Sequence, residues 1–118
     1  FLQKPLEVTQ VREMVRRILE KQGGAQIYED YLALAKELIG ERDFEVAAVY
    51  AQKAVFLNPD RPEALNLLGG IAEVKRNRQE AREYYLAALK VDPDYAWAQL
   101  NLERMDSRAY AQRNIAWG

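Results

Sequence analysis

A 34-residue period runs through the middle of this 118-residue chain and confines it to a repeat architecture. Pro59 and Pro93 lie one period apart, and the same offset pairs Ala47 with Ala81, Ala54 with Ala88, Leu34 with Leu68 and Tyr31 with Leu65. The segments in register read Tyr50-Ala51-Gln52-Lys53-Ala54-Val55 and Tyr84-Tyr85-Leu86-Ala87-Ala88-Leu89. Coincidences at one offset describe a duplicated unit. A unit of this length has room for two helices and a turn but cannot bury its apolar face alone, so copies must stack.

Within each unit the apolar residues follow helical spacing. Pro62 suits a helix start, where its missing N–H is not needed. Leu65, Leu68, Gly69 and Ala72 then share one face, and Asn77, which tolerates left-handed geometry, is expected to end the helix. Ala81, Tyr84, Tyr85, Ala88 and Leu89 mark a second helix, stopped by Asp92-Pro93-Asp94. The preceding unit repeats the plan. Tyr31, Leu34, Ala35 and Leu38 form the buried side of one helix, with Gly40 near its end; Phe44, Ala47, Ala51, Ala54 and Val55 mark the next, closed by Asn58-Pro59. After Pro93 a further helix begins with Trp97, Leu100, Leu102 and Met105, but the alanine, aromatic and proline landmarks do not follow in step. Residues 96–116 are therefore predicted to form one long helix that caps the stack, with Trp97, Tyr110 and Trp117 on its last apolar face.

At these residues the chain resembles the tetratricopeptide repeat family, whose unit is a 34-residue helix–turn–helix. Leu68-Gly69 matches the family's Leu-Gly pair, Ala81 and Ala88 its small residues, Tyr85 its aromatic and Pro93 its closing proline. The earlier unit carries Ala35 in place of the glycine and Ala51 in place of the aromatic. The resemblance implies an all-α, right-handed solenoid over residues 25–118. It would hold two full repeats, at residues 28–61 and 62–95, between an N-terminal helix and the long capping helix. It also implies a protein-binding scaffold without a catalytic site.

Residues 1–24 stand outside the period. Val8, Val11, Met14, Val15, Ile18 and Leu19 make a helical apolar stripe, Thr9 can serve as its N-cap, and Gly23-Gly24 is expected to end it. The plain reading is a helix that caps the array. Phe1-Leu2-Gln3-Lys4-Pro5-Leu6 with this helix also resembles the last strand and last helix of a response-regulator receiver domain. In that family a lysine precedes a typically cis proline and contacts the phosphoryl group, and Lys4 and Pro5 are the matching positions. The phosphorylated aspartate, the acidic metal-binding cluster and the switch hydroxyl would lie upstream of Phe1, which reads as the start of a fragment. This resemblance implies a two-component signalling parent with the array as its output.

Composition narrows the function. The chain has no cysteine and no histidine, which excludes disulfides, Cys/His metal sites, a thiol nucleophile and an imidazole base. No cofactor is expected. Lys and Arg number 17 against 18 Asp and Glu, a balance that argues against nucleic-acid or membrane-surface partners. No apolar run approaches the roughly 20 residues of a membrane helix, and a cytoplasmic location is expected. Glu29 with Asp30, or Glu80 with Glu83, can in principle form a carboxylate pair. Acidic pairs on helices are usually solvated, and no second group converges on either.

In a stacked array the first helix of each pair lines the concave surface. Turning about 100° per residue from the predicted core side brings Glu29, Leu32 and Lys36 toward the groove, then Glu63, Asn66, Gly70 and Glu73. The last helix places Trp97, Leu100, Asn101, Arg104 and Arg108 there. Lys36, Glu63 and Glu73 read equally well as solvated charges. Asn66 is a poor helix former that can pair with a peptide backbone through both donor and acceptor. Gly70 costs about 1 kcal/mol relative to alanine in a helix interior, which suggests close approach by something else, although drift explains it as well. Arg104 and Arg108, one turn apart, can bind a carboxylate unless Glu103 and Asp106 satisfy them. A family subtype clamps a peptide's terminal carboxylate, but here Leu32 stands at the first clamp lysine's place, Lys36 at the following asparagine's, and Leu67 at the next repeat's asparagine. The expected partner is a protein or peptide, bound as a helix or an extended segment. The competing reading is a homo-oligomer joined through the terminal helices, with Trp97 and Trp117 buried between copies.

Overall fold

The computed structural model describes residues 24–118 except Ala109 and Ala111. The N-terminal stripe, its Thr9 cap, Lys4 and Pro5 lie outside the described residues. Among those described, five α-helices follow one another: α1 (Gly24–Gly40), α2 (Phe44–Leu57), α3 (Glu63–Val74), α4 (Arg78–Val91) and α5 (Ala96–Met105), with a final 3₁₀ turn at Gln112–Asn114. The described residues contain no strand, and none of their helices is long and apolar enough to cross a membrane. The fold is a helical repeat stack.

The 34-residue period is carried by helix-end chemistry. Asp43 and Asn77 are N-caps whose side chains accept from the backbone N–H of Val46 and Glu80. Asn58 and Asp92 close the helices that follow, their own N–H groups donating to Ala54 and Ala88. Between paired helices the left-handed residue is an arginine, Arg42 at φ 65° and Arg76 at φ 66°. Asn77 was expected there. The bonds explain the difference: the N–H of Asn77 reaches the Ala72 carbonyl and that of Arg76 the Glu73 carbonyl, a Schellman closure whose left-handed position is Arg76. Asn77 thereby keeps its side chain for capping α4. Gly24 is helical, the first described residue of α1, and the expected helix end at Gly23-Gly24 otherwise lies outside the described residues.

Helices α1 and α2 pack as one pair, α3 and α4 as the next; α3 also packs against α1 and α2, and α5 lies on α4. One core joins Tyr28, Leu32, Ala35 and Ile39 to Ala47, Ala51, Ala54, Leu67, Leu68 and Ile71. A second joins Ala72, Ala81, Tyr85, Ala88, Ala98 and Met105. The alanines bring helix axes close, and Gly69 brings them closer still: a Cβ there would stand 2.4 Å from Tyr85 Cε1. Each buried leucine or isoleucine contributes about 1.5–3 kcal/mol. The buried side of α1 differs from the predicted one. Tyr31 and Leu38 are half-buried at its margin, and Leu32, expected in the groove, is core at 5% exposure.

The closing helix is shorter than its predicted span of 96–116, ending at Met105. Two arginines of α4 hold that end. Arg78 donates to the Met105 carbonyl at 2.8 Å, and Arg82 pairs with Asp106 at 2.5 Å. Beyond it the chain reverses, so that Ile115 is buried and Trp117 packs on the first core. Residues 115–118 have no regular secondary structure. A continued helix would carry Tyr110, Ile115 and Trp117 away from the stack, and the reversal buries them instead.

Candidate functional site

Helix α3 is enclosed on nearly every side, with Ala64 and each residue from Asn66 to Glu73 buried. Asn66, Gly70 and Glu73 form one stripe along it at i, i+4 and i+7. Across the concave surface α5 presents Asn101 and Arg104. Five of the residues expected to line the groove thus converge. What they converge on is the chain's own C-terminal segment.

Asn66 and Asn101 are fully buried and read the main chain of that segment. Asn101 takes Ala116 from both sides: its Oδ1 accepts the Ala116 N–H at 2.8 Å and its Nδ2 donates to the Ala116 carbonyl at 2.9 Å. Asn66 Nδ2 donates to the carbonyls of Ala116 at 2.8 Å and Trp117 at 3.3 Å. The two amides are joined by Asn101 Nδ2 donating to Asn66 Oδ1 at 2.9 Å. Every amide hydrogen of the pair is used, as burial of polar groups demands.

One turn along, Gly70 makes room for the Trp117 indole. A Cβ at Gly70 would lie 2.3 Å from Cζ3 and 2.8 Å from Cε3 and Cη2. The indole also stacks on Phe44, with centroids 6.4 Å apart and planes inclined by 20°. At the other end of the stripe Glu73 is completely buried. Arg104 grips it as a fork, Nη1 to Oε2 at 2.9 Å and Nη2 to Oε1 at 2.5 Å. Tyr85 donates to Oε1 at 2.6 Å and Tyr110 to Oε2 at 2.5 Å, while Gln112 donates to the Glu73 backbone carbonyl.

This hub sets its own electrostatics. Burial pushes the Glu73 carboxyl upward, but the bonds from Arg104, Tyr110 and Tyr85, with the arginine's charge, outweigh it and leave the group below its ordinary value. Burial lowers Arg104, but its bond to Glu73, the charges of Glu73 and Tyr85 and the bond to Tyr110 together raise it above its ordinary value. Burial and then the Glu73 bond raise the Tyr85 hydroxyl, and the same two causes raise Tyr110. Within this hub the charges of Glu73 and Arg104 neutralise each other.

The other expected residues serve elsewhere. Glu29 pairs with Arg61 at 2.6 Å, and Arg61 also holds Glu63 at 3.0 Å while lying 4.5 Å over the Tyr28 ring. Lys36 and Arg108 are exposed, and Trp97 and Leu100 remain 45% and 50% exposed. Of the proposed carboxylate pairs, Glu29 is taken by Arg61, and Glu80 accepts from the Asn77 amide at 3.3 Å. Sequence reasoning missed Tyr85, Tyr110 and Phe44 as parts of the site, and the tail as its occupant. A signal was present: Ile115 and Trp117 alternate, an extended rather than a helical pattern.

Residues 62–95, which span α3 and α4, match the model of the tetratricopeptide repeat family. The chain is similar to the human protein named Tetratricopeptide repeat protein 7A, with 31% identity over 101 residues, 79% of this chain. It is also similar to the human Protein O-mannosyl-transferase TMTC1, with 42% identity over 53 residues, 45% of this chain. The matched stretches span 12% and 6% of those two proteins' own lengths.

Proposed function

We propose that this chain is a non-catalytic interaction module that holds an extended peptide of a partner protein across α3 and α5. The observation that carries this reading is the buried Asn66–Asn101 pair, whose amides bond to each other and to the main chain of residues 116–117. Two buried amides would each cost about 1–3 kcal/mol if left unmet, and a peptide backbone meets them without demanding a particular side chain. The near-balanced charge of the whole chain supports a protein partner over a nucleic acid or a membrane. Repeats of this kind generally mediate protein–protein contact, which supports the same reading.

The test is selection from a displayed peptide library on the parent chain, followed by binding to a variant carrying Asn66→Ala and Asn101→Ala. Circular dichroism checks that the variant is helical. Selected peptides should bind the variant at least tenfold more weakly; undiminished binding would place the site elsewhere.

A second reading has its own observation. Trp97 and Leu100 are half-exposed on α5, which favours self-association through that helix. Trp117, expected in the same interface, is already housed in its own chain's groove. Particle mass that grows with concentration and falls on Trp97→Ala would favour this reading. The resemblance of residues 1–6 to a receiver's last strand supports a finer placement, as the cytoplasmic output arm of a two-component response regulator. Partner binding that ignores phosphorylation of the complete protein would sink that placement.

A further inference from the structure

The concave groove already contains a peptide. Residues 112–118 cross it as a ligand would: main chain against the asparagine pair, one large side chain in a fitted seat. The seat is specific in shape. Gly70 contributes the absence of a Cβ, Phe44 a stacking face, and the atoms nearest Gly70 are Cζ3, Cε3 and Cη2, the benzenoid edge of an indole. A one-ring side chain does not present that edge in the same place. Beside it, Ala116 is small where the two amides close on its peptide group, and Ile115 is buried next to it.

Several bonds of the groove wall are made without this occupant. Without the tail, Glu73 keeps its fork to Arg104 and its bond from Tyr85, and Asn101 keeps its bond to Asn66. The remaining amide groups of Asn66 and Asn101 are left for a peptide main chain to meet. These wall bonds leave the place of the tail open to a segment of like chemistry.

We propose that the groove is a seat for extended segments of the pattern aliphatic, small, tryptophan, and that residues 112–118 are a resident occupant which such a segment of a partner protein displaces. This rests on the peptide-groove reading above and adds the ligand's side-chain chemistry and a competitor built into the chain. A tethered competitor acts at an effective concentration on the order of millimolar. A free peptide with roughly 10 μM affinity for the empty groove would then bind the intact chain about 100-fold more weakly.

The experiment uses a fluorescein-labelled synthetic peptide with the sequence of residues 110–118. Anisotropy compares the full chain with a full-length variant carrying Ile115→Ala and Trp117→Ala. A second measurement needs no variant: the Trp117 indole N–H resonance of the isotope-labelled full chain is followed as unlabelled peptide is added. The variant should bind at least tenfold more tightly, the indole should move to its free position, and a peptide with alanine in place of tryptophan should fail on both counts. Equal binding to both chains would overturn the competitor. Equal binding of the alanine peptide would overturn the tryptophan seat. No indole displacement at saturating peptide would make the tail a permanent part of the fold. If mass doubles with concentration in a Trp117-dependent way, the occupant is a second copy's tail and the partner claim fails. A library that still yields groove-dependent peptides in any of these cases leaves the peptide-groove reading standing alone.

Discussion

Gly70→Ala should change sign with its background, because two effects of similar size oppose each other at this position. Alanine in a helix interior is favoured over glycine by about 0.8–1.0 kcal/mol. Against that, its Cβ would stand 2.3 Å from Trp117 Cζ3, so the indole must leave its seat. Truncating a fully buried tryptophan costs about 3–5 kcal/mol; Trp117 is only partly buried, and about 2 kcal/mol is a fair measure of what the displaced ring loses. The net in the parent chain is a destabilisation of about 1 kcal/mol, whereas in Trp117→Ala the same substitution should stabilise by about 1 kcal/mol. The coupling between the two sites is then about 2 kcal/mol. Urea unfolding of the four proteins, followed by far-ultraviolet circular dichroism, measures it as long as their m values agree. A coupling below about 0.5 kcal/mol, the scatter of independent sites, would show that the indole does not rest on Gly70.

Two further perturbations probe the hub and the repeat. Glu73→Gln leaves Arg104, whose side chain is 11% exposed, facing an uncharged amide, and should cost on the order of 3 kcal/mol in urea unfolding. It should also flatten the acid limb. Because the folded state holds the Glu73 carboxyl below its ordinary value of 4.5, the unfolded chain binds the proton first; the stabilisation is complete above that value and lost as pH falls through the lowered one. The parent's urea midpoint should therefore drop faster than the variant's below pH 4.5, and parallel curves would refute the assignment. In the repeat, Gly69→Ala drives a methyl into a Tyr85 ring that is tied to Glu73 at 2.6 Å, a cost of about 1–3 kcal/mol. Ala51→Tyr should be similarly costly in the first repeat and should be relieved by Ala35→Gly, and a melt showing no relief would mean the two positions do not face each other.

What the sequence disclosed and what it hid divide by the range of the interaction. Caps, turns and small residues recur at 34 residues because each is settled within one unit: Asp43 and Asn77 bond to an N–H three residues ahead, and Ala47 and Ala81 meet a helix from the same pair. Even the apparent lapses obey local packing. Tyr85 needs Gly69 beneath its ring, and where Ala51 stands one period earlier, Ala35 has room for its methyl group. The buried side of α1 was harder to choose, since Tyr28, Leu32 and Ile39 compete with Tyr31, Leu34 and Leu38 as an apolar stripe. The helix packs against α2 and also touches α3, so it buries more than one face, which periodicity alone does not resolve. Asn66, Gly70, Glu73, Asn101 and Arg104 were legible as a convergent set because helical spacing aligns them. That the set closes on residues 116–117 depends on bonds spanning 15, 50 and 51 residues, beyond the reach of any local pattern.

The path of the tail separates a cap from a ligand. A cap belongs at the end of a stack, over its last apolar face, and the sequence pattern placed Trp97, Tyr110 and Trp117 there together. In the structure they part. Tyr110 packs with the second core and Trp117 with the first, against Phe44 of α2, so the segment crosses the concave surface from the last helix toward the first pair. Trp97 and Leu100 are 45% and 50% exposed on α5. Gly118 lies beside Trp97 and Tyr95, while residues 112–117 engage two buried asparagines, a glycine and a neutralised glutamate, groups that reward hydrogen bonds and one well-shaped ring. The stripe on α3 is therefore matched to an extended chain, and the tail supplies the example of such a chain that this protein carries with it.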